Sequence, residues 1–288
     1  MSKEVRYWIH TITPLHLGAG RGLDFIDLPI VRERVTNWPY IPGSSVKGVI
    51  SDHFANVAAC SGDDFKKAFG RPKEGTKEDG TQSDNAGFLC YTDAQLLCLP
   101  VRSFYGTFAW VTTPFCIERF NRSVTSGKSY PVVKLTKNAA VATDKLIGSG
   151  STIYLEELDL AVTKSDDAAK LAEAIAQDVF PGDSSWQAIF KERFVVVDEE
   201  IFTYLSENGT EVNAHIRIDP EKATVVNGAL WYQEELPVET ILTGAVWTPK
   251  PKDEALLDAF CAKNLTLQIG GKASTGRGMA HVIFAAGK

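Results

Sequence analysis

The stretch 16–48 constrains the fold of this chain most strongly, because it is too rich in glycine, proline and charge to form a buried core. It reads HLGAGRGLDFIDLPIVRERVTNWPYIPGSSVKG. Gly18, Gly20 and Gly22 allow positive φ angles and the close approach of another chain. The prolines that follow stiffen the path into the next helix. We therefore expect an exposed, functional connection at this point.

Three polar residues in this connection are candidates for chemistry. Asp24 and Asp27 lie in or just after the glycine run, and His16 borders it. A loop carboxylate commonly caps a turn, and a single histidine is more often a hydrogen-bonded structural residue than a catalyst. From the residues alone, the structural and the catalytic interpretations both stay open.

The helix that follows has an unusual first turn. Ser44 and Ser45 offer a cap, apolar residues recur at helical spacing over 44–59, and Lys47 lies off that apolar stripe. A cation near a helix N-terminus is unfavourable unless an anion docks there. Lys47 is therefore either a solvated surface lysine or part of a phosphate site, and the GSSVKG context favours phosphate. The chain has no GxxxxGK[ST] motif, which argues against a Walker loop.

A second glycine-rich loop, GGKASTGRG, precedes the last strand of the chain. Gly271 offers close backbone approach, while Lys272, Ser274 and Arg277 offer hydrogen-bond donors. Such a set suits a phosphodiester backbone, although glycine-rich loops are common. No GxGxxG follows the first strand, so a dinucleotide-binding fold is not indicated.

The segment 213–237 is predicted to form a protruding hairpin. Its first half alternates apolar and polar residues as a half-buried strand does, and DPEK and NG supply turns. Arg217 lies on the polar side of that alternation. Trp231 and Tyr232, on the returning strand, are either core aromatics or wedges against nucleobases.

The order of elements predicts an α+β fold of one domain, 1–288. The order β, α, β, β, α, β, repeated loosely, matches a ferredoxin-like or RRM-like sheet with insertions, although the RRM aromatic motif is absent. Residues 70–87 carry almost no apolar groups, which predicts a mobile insertion. We further predict a loop over 123–150 and one long strand over 152–163.

Composition limits the classes of protein that fit. The net charge of −6 argues against a free nucleic-acid binder but not against a local basic groove. Five cysteines without a CxxC pair support neither disulfides nor a zinc ribbon, and we expect reduced thiols and a cytoplasmic protein. No apolar run is long enough to span a membrane, so we expect no membrane association.

Four motifs together resemble the RAMP superfamily of CRISPR effector proteins. They are HLGAGRGLDFIDLPIVRE, TNWPYIPGSSVKG, GALWYQEELP and LQIGGKASTGRGMAHV, and PVRSFYGTFAWVTTPFCIERF also matches. More narrowly, the chain is similar to the repeated backbone subunit of the type III-B (Cmr) complex. The resemblance covers the whole length, and IDLPIVRE joined to PGSSVKG is its most specific part.

The resemblance implies a ferredoxin-like palm, a fingers insertion and a β-hairpin thumb near 213–237. Several copies would stack as a helical filament along one CRISPR guide RNA, beside other Cmr subunits, and would cut complementary target RNA at regular intervals. Lys47, Lys272 and Arg277 would hold guide phosphates, and Asp27 matches the essential acid of the family.

The catalytic details are less complete in the sequence. His16, Asp24 and Glu234 are candidate helpers of Asp27. We expect a divalent metal ion, Mg or Mn, in cleavage, with unknown ligands, and no organic cofactor. Two alternatives remain: a structural guide-RNA-binding subunit without cleavage, and a guide-processing endoribonuclease of the same superfamily that acts through His16. A generic metallohydrolase is disfavoured, because no cluster of His and Asp ligands is apparent.

Overall fold

The chain folds around one large β-sheet, from which a two-stranded hairpin projects. The computed structural model describes residues 3–20, 22, 25–56, 62–70, 86–123, 128–219 and 221–285. Twelve strands of this part of the chain form the sheet, and the remaining two pair with each other. The mixed α and β class predicted from the sequence is confirmed.

The first half of the chain supplies two of the central strands. Its elements in order are β1 (Glu4–Thr11), β2 (Tyr40–Ile41), α1 (Gly43–Asn56), α2 (Asp63–Phe69), β3 (Cys90–Tyr91), β4 (Ala94–Ser103), β5 (Thr107–Thr112) and α3 (Pro114–Arg122).

The second half completes the sheet and forms the hairpin. Its elements are β6 (Ala139–Val141), β7 (Thr152–Leu155), β8 (Leu158–Lys164), α4 (Asp166–Val179), α5 (Ser184–Glu192), β9 (Phe194–Val197), α6 (Glu199–Asn208), β10 (Glu211–Asp219), β11 (Thr224–Glu235), β12 (Ile241–Trp247), α7 (Glu254–Phe260), β13 (Leu265–Gln268) and β14 (Met279–Phe284).

The centre of the sheet is antiparallel and has the order β14-β1-β12-β4. β1 alternates its side chains between two hydrophobic cores, as a strand buried on both faces must. Tyr7 and Ile9 enter the core that α1 and α7 cover. Trp8 enters the core that α3, α4 and α5 cover. The termini of these strands hold both glycine-rich loops at one end of the sheet.

Several sequence predictions about single elements are confirmed. The first strand, the helix after Gly43 and the helix that Ser165 caps are present, and Ser165 Oγ accepts from the N–H of Ala168 at 3.3 Å. Residues 57–59 of the predicted first helix lie outside the described residues. So does the part 71–85 of the segment predicted to be mobile, whereas Gly70 and Ala86 pair across its ends.

Two predictions about strands were wrong. The predicted strand 152–163 is two antiparallel strands, β7 and β8, because Glu156 turns the chain with a φ of +49°. The predicted loop 123–150 contains β6, which pairs with β8 and β9 in the second part of the sheet. Its three residues, Ala139–Val141, are too few to show a strand pattern in the sequence.

The hairpin of β10 and β11 is present, and of its two predicted turns, DPEK forms and NG does not. The turn is at the DPEK segment, where Asp219 Oδ1 accepts from the N–H groups of Glu221 and Lys222. Asn227 and Gly228 lie inside β11, where the pairing register shifts and Gly228 has a φ of +73°. They therefore form a bulge rather than a turn.

Two further observations concern the predicted environment. Cys90, Cys98, Cys116 and Cys261 are free thiols, and Cys60 lies outside the described residues. Among the helices that the structure describes, none has the length and apolar character needed to cross a bilayer.

Candidate nucleic-acid interface

The residues before β2 attach Asp27 to the base of the hairpin. Leu28 pairs in parallel with Gln233 of β11, and its N–H donates to the carbonyl of Tyr232 at 3.1 Å. The N–H of Tyr232 in turn donates to Asp27 Oδ2 at 2.8 Å. The side chain of Asp27 is otherwise exposed to solvent. An accessible carboxylate is thus fixed beside the root of the hairpin, whereas Asp24 lies outside the described residues.

Glu234 is the buried residue that holds this segment in place. Its Oε2 accepts from the N–H of Ile30 at 3.0 Å, and its Oε1 accepts from Arg32 Nη2 at 2.5 Å and from Thr210 Oγ1 at 3.0 Å. The residue is 3% exposed. Its carboxylate is occupied by groups of its own chain, which argues for an organising role rather than the helper role predicted.

His16 lies beneath the two glycine-rich segments rather than in the open loop. The residue is 6% exposed, and its Nδ1 lies 2.7 Å from the carbonyl oxygen of Glu234. A carbonyl only accepts, so Nδ1 carries a proton. A Cβ on Gly18 would lie 3.0 Å from Nε2. Glycine at position 18 therefore allows the backbone to lie directly over the imidazole.

The C-terminal glycine-rich loop, residues 270–278, is fastened to the same place. The N–H of Gly271 donates to the carbonyl of His16 at 2.9 Å. A Cβ on Gly270 would lie only 2.3 Å from that carbonyl oxygen, and Gly270 has a φ of +81°, so no other residue fits without displacement. Lys272 and Ser274 are exposed, and Lys272 adopts a left-handed φ of +65°.

Arg277 is partly occupied by an ion pair that the sequence analysis did not identify. Its Nε donates to Glu235 Oε1 at 2.8 Å, and Glu235 is completely buried. Glu235 also accepts from Asn213 and Gln233. Arg277 links the glycine-rich loop to the hairpin, and because its guanidinium remains partly exposed, its predicted role as a donor to RNA stays a prediction.

The start of α1 is capped differently from the prediction. Asp93 Oδ1, rather than a serine, accepts from the N–H of Gly43 at 2.7 Å. Ser44 is exposed and Ser45 is half-buried, and Lys47 makes no ion pair with any described carboxylate. The neighbouring Val46 of α1 shares one hydrophobic core with Ile269, which precedes the glycine-rich loop. Lys47 and the loop therefore belong to elements that pack on the same core.

The hairpin has two chemically distinct faces. Its open face is apolar and at least 42% exposed at each of these side chains: Val212, Ile216, Ile218, Val225, Leu230 and Tyr232. Its inner face, toward the glycine-rich loop, carries a cross-strand pair in which His215 stacks on Trp231 with ring centres 5.5 Å apart. Lys272 Nζ lies 6.0 Å from the Trp231 ring. Trp231 is thus packed, Tyr232 is the accessible aromatic, and Arg217 is exposed.

The charges around the hairpin root perturb one titratable group. Burial raises the pKa of Glu211, and the charge of Glu235 raises it further, against the lowering effects of Asn213 and Arg277. Glu211 and Glu235 are cross-strand partners. Two acids directly opposite each other are unfavourable, which explains why Arg277 is held at this point.

Sequence reasoning missed the residues that hold the interface together, Arg32 and Glu235. The available signal was the pair Glu234-Glu235 before Leu236-Pro237, because adjacent acids on a strand point to opposite faces and, if buried, need two separate donors. Arg32 forms an ion pair with Glu234, and Arg277 forms one with Glu235. The sequence did not show which cations these would be.

The described residues contain no group of three His, Cys, Asp or Glu side chains that could hold a metal ion. The interface therefore offers one accessible acid, Asp27, and a set of cations and exposed backbone rather than a preformed metal cage. Such a surface can position a sugar-phosphate chain and present a single carboxylate to it.

Comparisons with known proteins give matches along nearly the whole chain. The family model of the RAMP superfamily matches residues 8–280. The chain is 34% identical over 283 residues to the CRISPR system Cmr endoribonuclease Cmr4 of Pyrococcus furiosus, which covers 95% of this chain and 93% of that protein.

Solved structures of similar fold cover nearly the whole chain. The crystal structure of oligomeric Cmr4 from Pyrococcus furiosus superposes with a TM-score of 0.75 at 27% identity and covers 99% of both chains. A chain of the type III-B Cmr-beta complex bound to cognate target RNA superposes with a TM-score of 0.76 at 20% identity, covering 98% of this chain and 97% of that one.

Proposed function

The chain belongs to the RAMP superfamily, and we propose that it is the repeated backbone subunit of a type III-B CRISPR effector. In this role it binds a guide RNA along its spacer and cleaves complementary target RNA at regular intervals. The observation that carries the proposal is the exposed carboxylate of Asp27, bonded to the N–H of Tyr232 at the root of a projecting hairpin. The relative that is 34% identical is named an endoribonuclease.

The central sheet supports the assignment of a palm. The strand order β14-β1-β12-β4, with α1 after β1 and α7 after β12, is the order of a ferredoxin-like β-α-β-β-α-β unit. The β10–β11 hairpin is then the thumb. The fingers insertion stays a prediction.

The guide-binding surface has two parts. The start of α1 contributes Ser44, Ser45 and Lys47, and the glycine-rich loop contributes Gly271, Lys272 and Ser274, with the outer nitrogens of Arg277 beside them. Cations and exposed N–H groups bind phosphates without reading sequence. The target sequence is then recognised by base pairing between guide and target. A backbone made of identical copies requires this, because the copies cannot each read a different sequence.

The thumb places the target strand for cutting. Its open face carries exposed apolar side chains, including Ile216, Leu230 and Tyr232, which suit contact with the faces of unstacked bases. A thumb that enters the guide–target duplex displaces a pair beside it. The backbone there can adopt the geometry in which a 2′-OH lies in line with the phosphorus, and such positioning supplies much of the barrier reduction.

Asp27 acts at that phosphate, where the 2′-oxygen bonds to the phosphorus to form a 2′,3′-cyclic phosphate, and the bond to the 5′-oxygen breaks as that oxygen takes a proton from water. Its Oδ2 is bonded to Tyr232, and Oδ1 has no partner among the described residues, so Oδ1 is free to orient or deprotonate the attacking 2′-OH. A lone carboxylate also fits a Mg²⁺ or Mn²⁺ ion that takes its remaining ligands from water and RNA phosphate. Such an ion would stabilise the negative charge that develops on the phosphoryl oxygens.

A backbone subunit has to bind further copies of itself and the other subunits of its complex. The solved relative that is 27% identical is described as oligomeric. We propose further copies of this chain, in a helical filament, and other Cmr subunits as its protein partners.

The alternative of a guide-processing endoribonuclease acting through His16 is less well supported. A general base must reach the substrate, whereas His16 is 6% exposed and its Nδ1 is bonded to Glu234. The alternative of a subunit without cleavage leaves the exposed Asp27 without a role.

Reconstitution tests the proposal. The full chain is assembled with its neighbouring subunits and a guide RNA, and a labelled target is added with Mg²⁺. We expect evenly spaced products from a complementary target and none from a scrambled one. Equal cutting of both targets, or cutting of the guide precursor by the isolated chain, would refute it.

A further inference from the structure

The inner face of the hairpin carries three buried polar atoms that lack hydrogen-bond partners. They are His215 Nε2, Trp231 Nε1 and Gln233 Oε1. His215 and Trp231 are directly opposite each other, and Gln233 is two residues further along the same face of β11. Because buried polar groups are almost always paired, three unpaired atoms on adjacent positions of one face indicate a missing partner.

The side chains next to Gln233 are paired with one another. Gln233 is 1% exposed, and its Nε2 donates to Glu235, which also accepts from Asn213 and Arg277. The carbonyl oxygen of the Gln233 side-chain amide has no hydrogen-bond partner. Of the three unpaired groups, the indole of Trp231 lies beside Lys272 of the glycine-rich loop.

Hydrogen-bond chemistry narrows the class of partner. The Trp231 N–H can only donate, and the Gln233 carbonyl oxygen can only accept. A phosphate oxygen, which only accepts, would satisfy Trp231 and leave Gln233 unpaired. A hydroxyl both donates and accepts, and in a nucleic acid that group is the ribose 2′-OH.

The position of the face fits a sugar of the guide strand. Lys272, proposed above to hold a guide phosphate, places its ammonium 6.0 Å from the Trp231 ring. The ribose next to that phosphate would lie beside the inner face. Lys272 is exposed, so its flexible side chain can move aside to admit the sugar.

We propose that Trp231 Nε1 and Gln233 Oε1 bind a 2′-hydroxyl of the guide strand, so that each subunit binds an RNA guide more tightly than a guide without 2′-hydroxyls. The inference rests on the proposed function, because it assigns a contact within the guide-binding surface. His215 holds the Trp231 ring in place by stacking.

The test compares two guides of identical sequence, one of RNA and one carrying 2′-fluorine at every spacer sugar. Fluorine keeps the RNA-like sugar pucker but cannot donate a hydrogen bond. We expect the full chain to bind the fluorinated guide about tenfold more weakly by fluorescence anisotropy at one fixed salt concentration, the order of effect of one or two hydrogen bonds.

The variant Trp231→Phe keeps the ring that stacks on His215 and removes only the N–H. Because the 2′-hydroxyl of an RNA guide can still donate to Gln233, we expect the preference of this variant for the RNA guide to fall to about threefold. Trp8→Phe is the matched control, because Trp8 Nε1 is also buried without a partner but lies in the sheet core. It should retain the preference of the unmodified chain for RNA.

Four outcomes decide the question. Equal binding of both guides by the unmodified chain overturns the inference and leaves the proposed function standing. A preference of undiminished size in Trp231→Phe, or one that changes when the bases are permuted, overturns it as well. A chain that binds neither guide, and whose assembled complex cuts no target, overturns the proposed function itself.

Discussion

The Oδ2 atom of Asp27 lies 2.8 Å from the backbone nitrogen of Tyr232, 205 residues further along the chain. The bond joins the first glycine-rich connection to the root of the hairpin. Leu28 extends it with the parallel pairing to Gln233. Because the acid and the hairpin share one rigid attachment, the position of the hairpin on a duplex fixes the position of the acid.

The first prediction concerns Glu234, which maintains this attachment. Glu234→Gln keeps an acceptor for Ile30 and Thr210 but loses the ion pair with Arg32. We expect target cleavage to slow about tenfold, because Asp27 is less well positioned, while target binding is unchanged. The pH dependence of the remaining cleavage should also be unchanged. A displaced pH profile would instead show that Glu234 takes part in proton transfer.

The second prediction concerns the ion pair between Arg277 and Glu235. Glu235 is fully buried and the Arg277 side chain is 28% exposed. Loss of one partner of a buried pair costs several kcal/mol, and with two neutral donors left on Glu235 we expect Arg277→Gln to lower the free energy of unfolding by about 2 kcal/mol. Urea denaturation measures this difference.

The matched control for that variant is Lys164→Gln, which removes an ion pair with Asp144 whose two side chains are 56% and 69% exposed. Its unfolding midpoint should scarcely change, because exposed pairs contribute little. Equal midpoints for the two variants would mean that the Arg277–Glu235 pair does not hold the glycine-rich loop to the hairpin.

The third prediction concerns the apolar open face of the hairpin. Ile218 and Val225 are paired near its tip and are 58% and 54% exposed. Replacing both by Ser should change the free energy of unfolding by less than about 0.5 kcal/mol, but should blur or abolish the regular spacing of cleavage products. Val35→Ser, at a site 95% exposed outside the hairpin, is the control. Unaltered spacing in the hairpin variant would count against insertion into the duplex.

The fourth prediction follows from the raised pKa of Glu211, whose largest cause is burial. The folded chain then holds this proton more tightly than the unfolded chain. Its contribution to stability is present below the ordinary pKa of a glutamate and is lost as the pH rises through the raised value. Glu211→Gln should therefore raise the unfolding temperature at about pH 7 and scarcely alter it at about pH 4. The opposite order would show that the pKa is lowered.

Local patterns predicted the regular elements of this fold well. Alternation in the segment after Glu211 indicated the hairpin, and the spacing of apolar residues after Gly43 indicated α1. Both patterns depend on neighbours in the sequence, where a periodicity of two or 3.6 residues is visible. The DPEK turn was likewise readable, because Asp219 bonds to the N–H groups just after it.

The sequence could not predict contacts between distant segments. The cap of α1 comes from Asp93, 50 residues away, although two serines stand at the start of the helix. The cations that pair with Glu234 and Glu235 are Arg32 and Arg277, which lie near opposite ends of the chain. Burial makes such partners necessary, but only the folded chain determines which cation each acid meets.

The measurement that tests the account most directly is target cleavage by the assembled complex with Asp27→Ala, followed on a labelled complementary RNA. Asp144→Ala, which removes another exposed aspartate, is the control. We predict that Asp27→Ala assembles and binds target as the unmodified chain does but yields no evenly spaced products, while the control cuts normally. Normal cutting by Asp27→Ala would contradict the account.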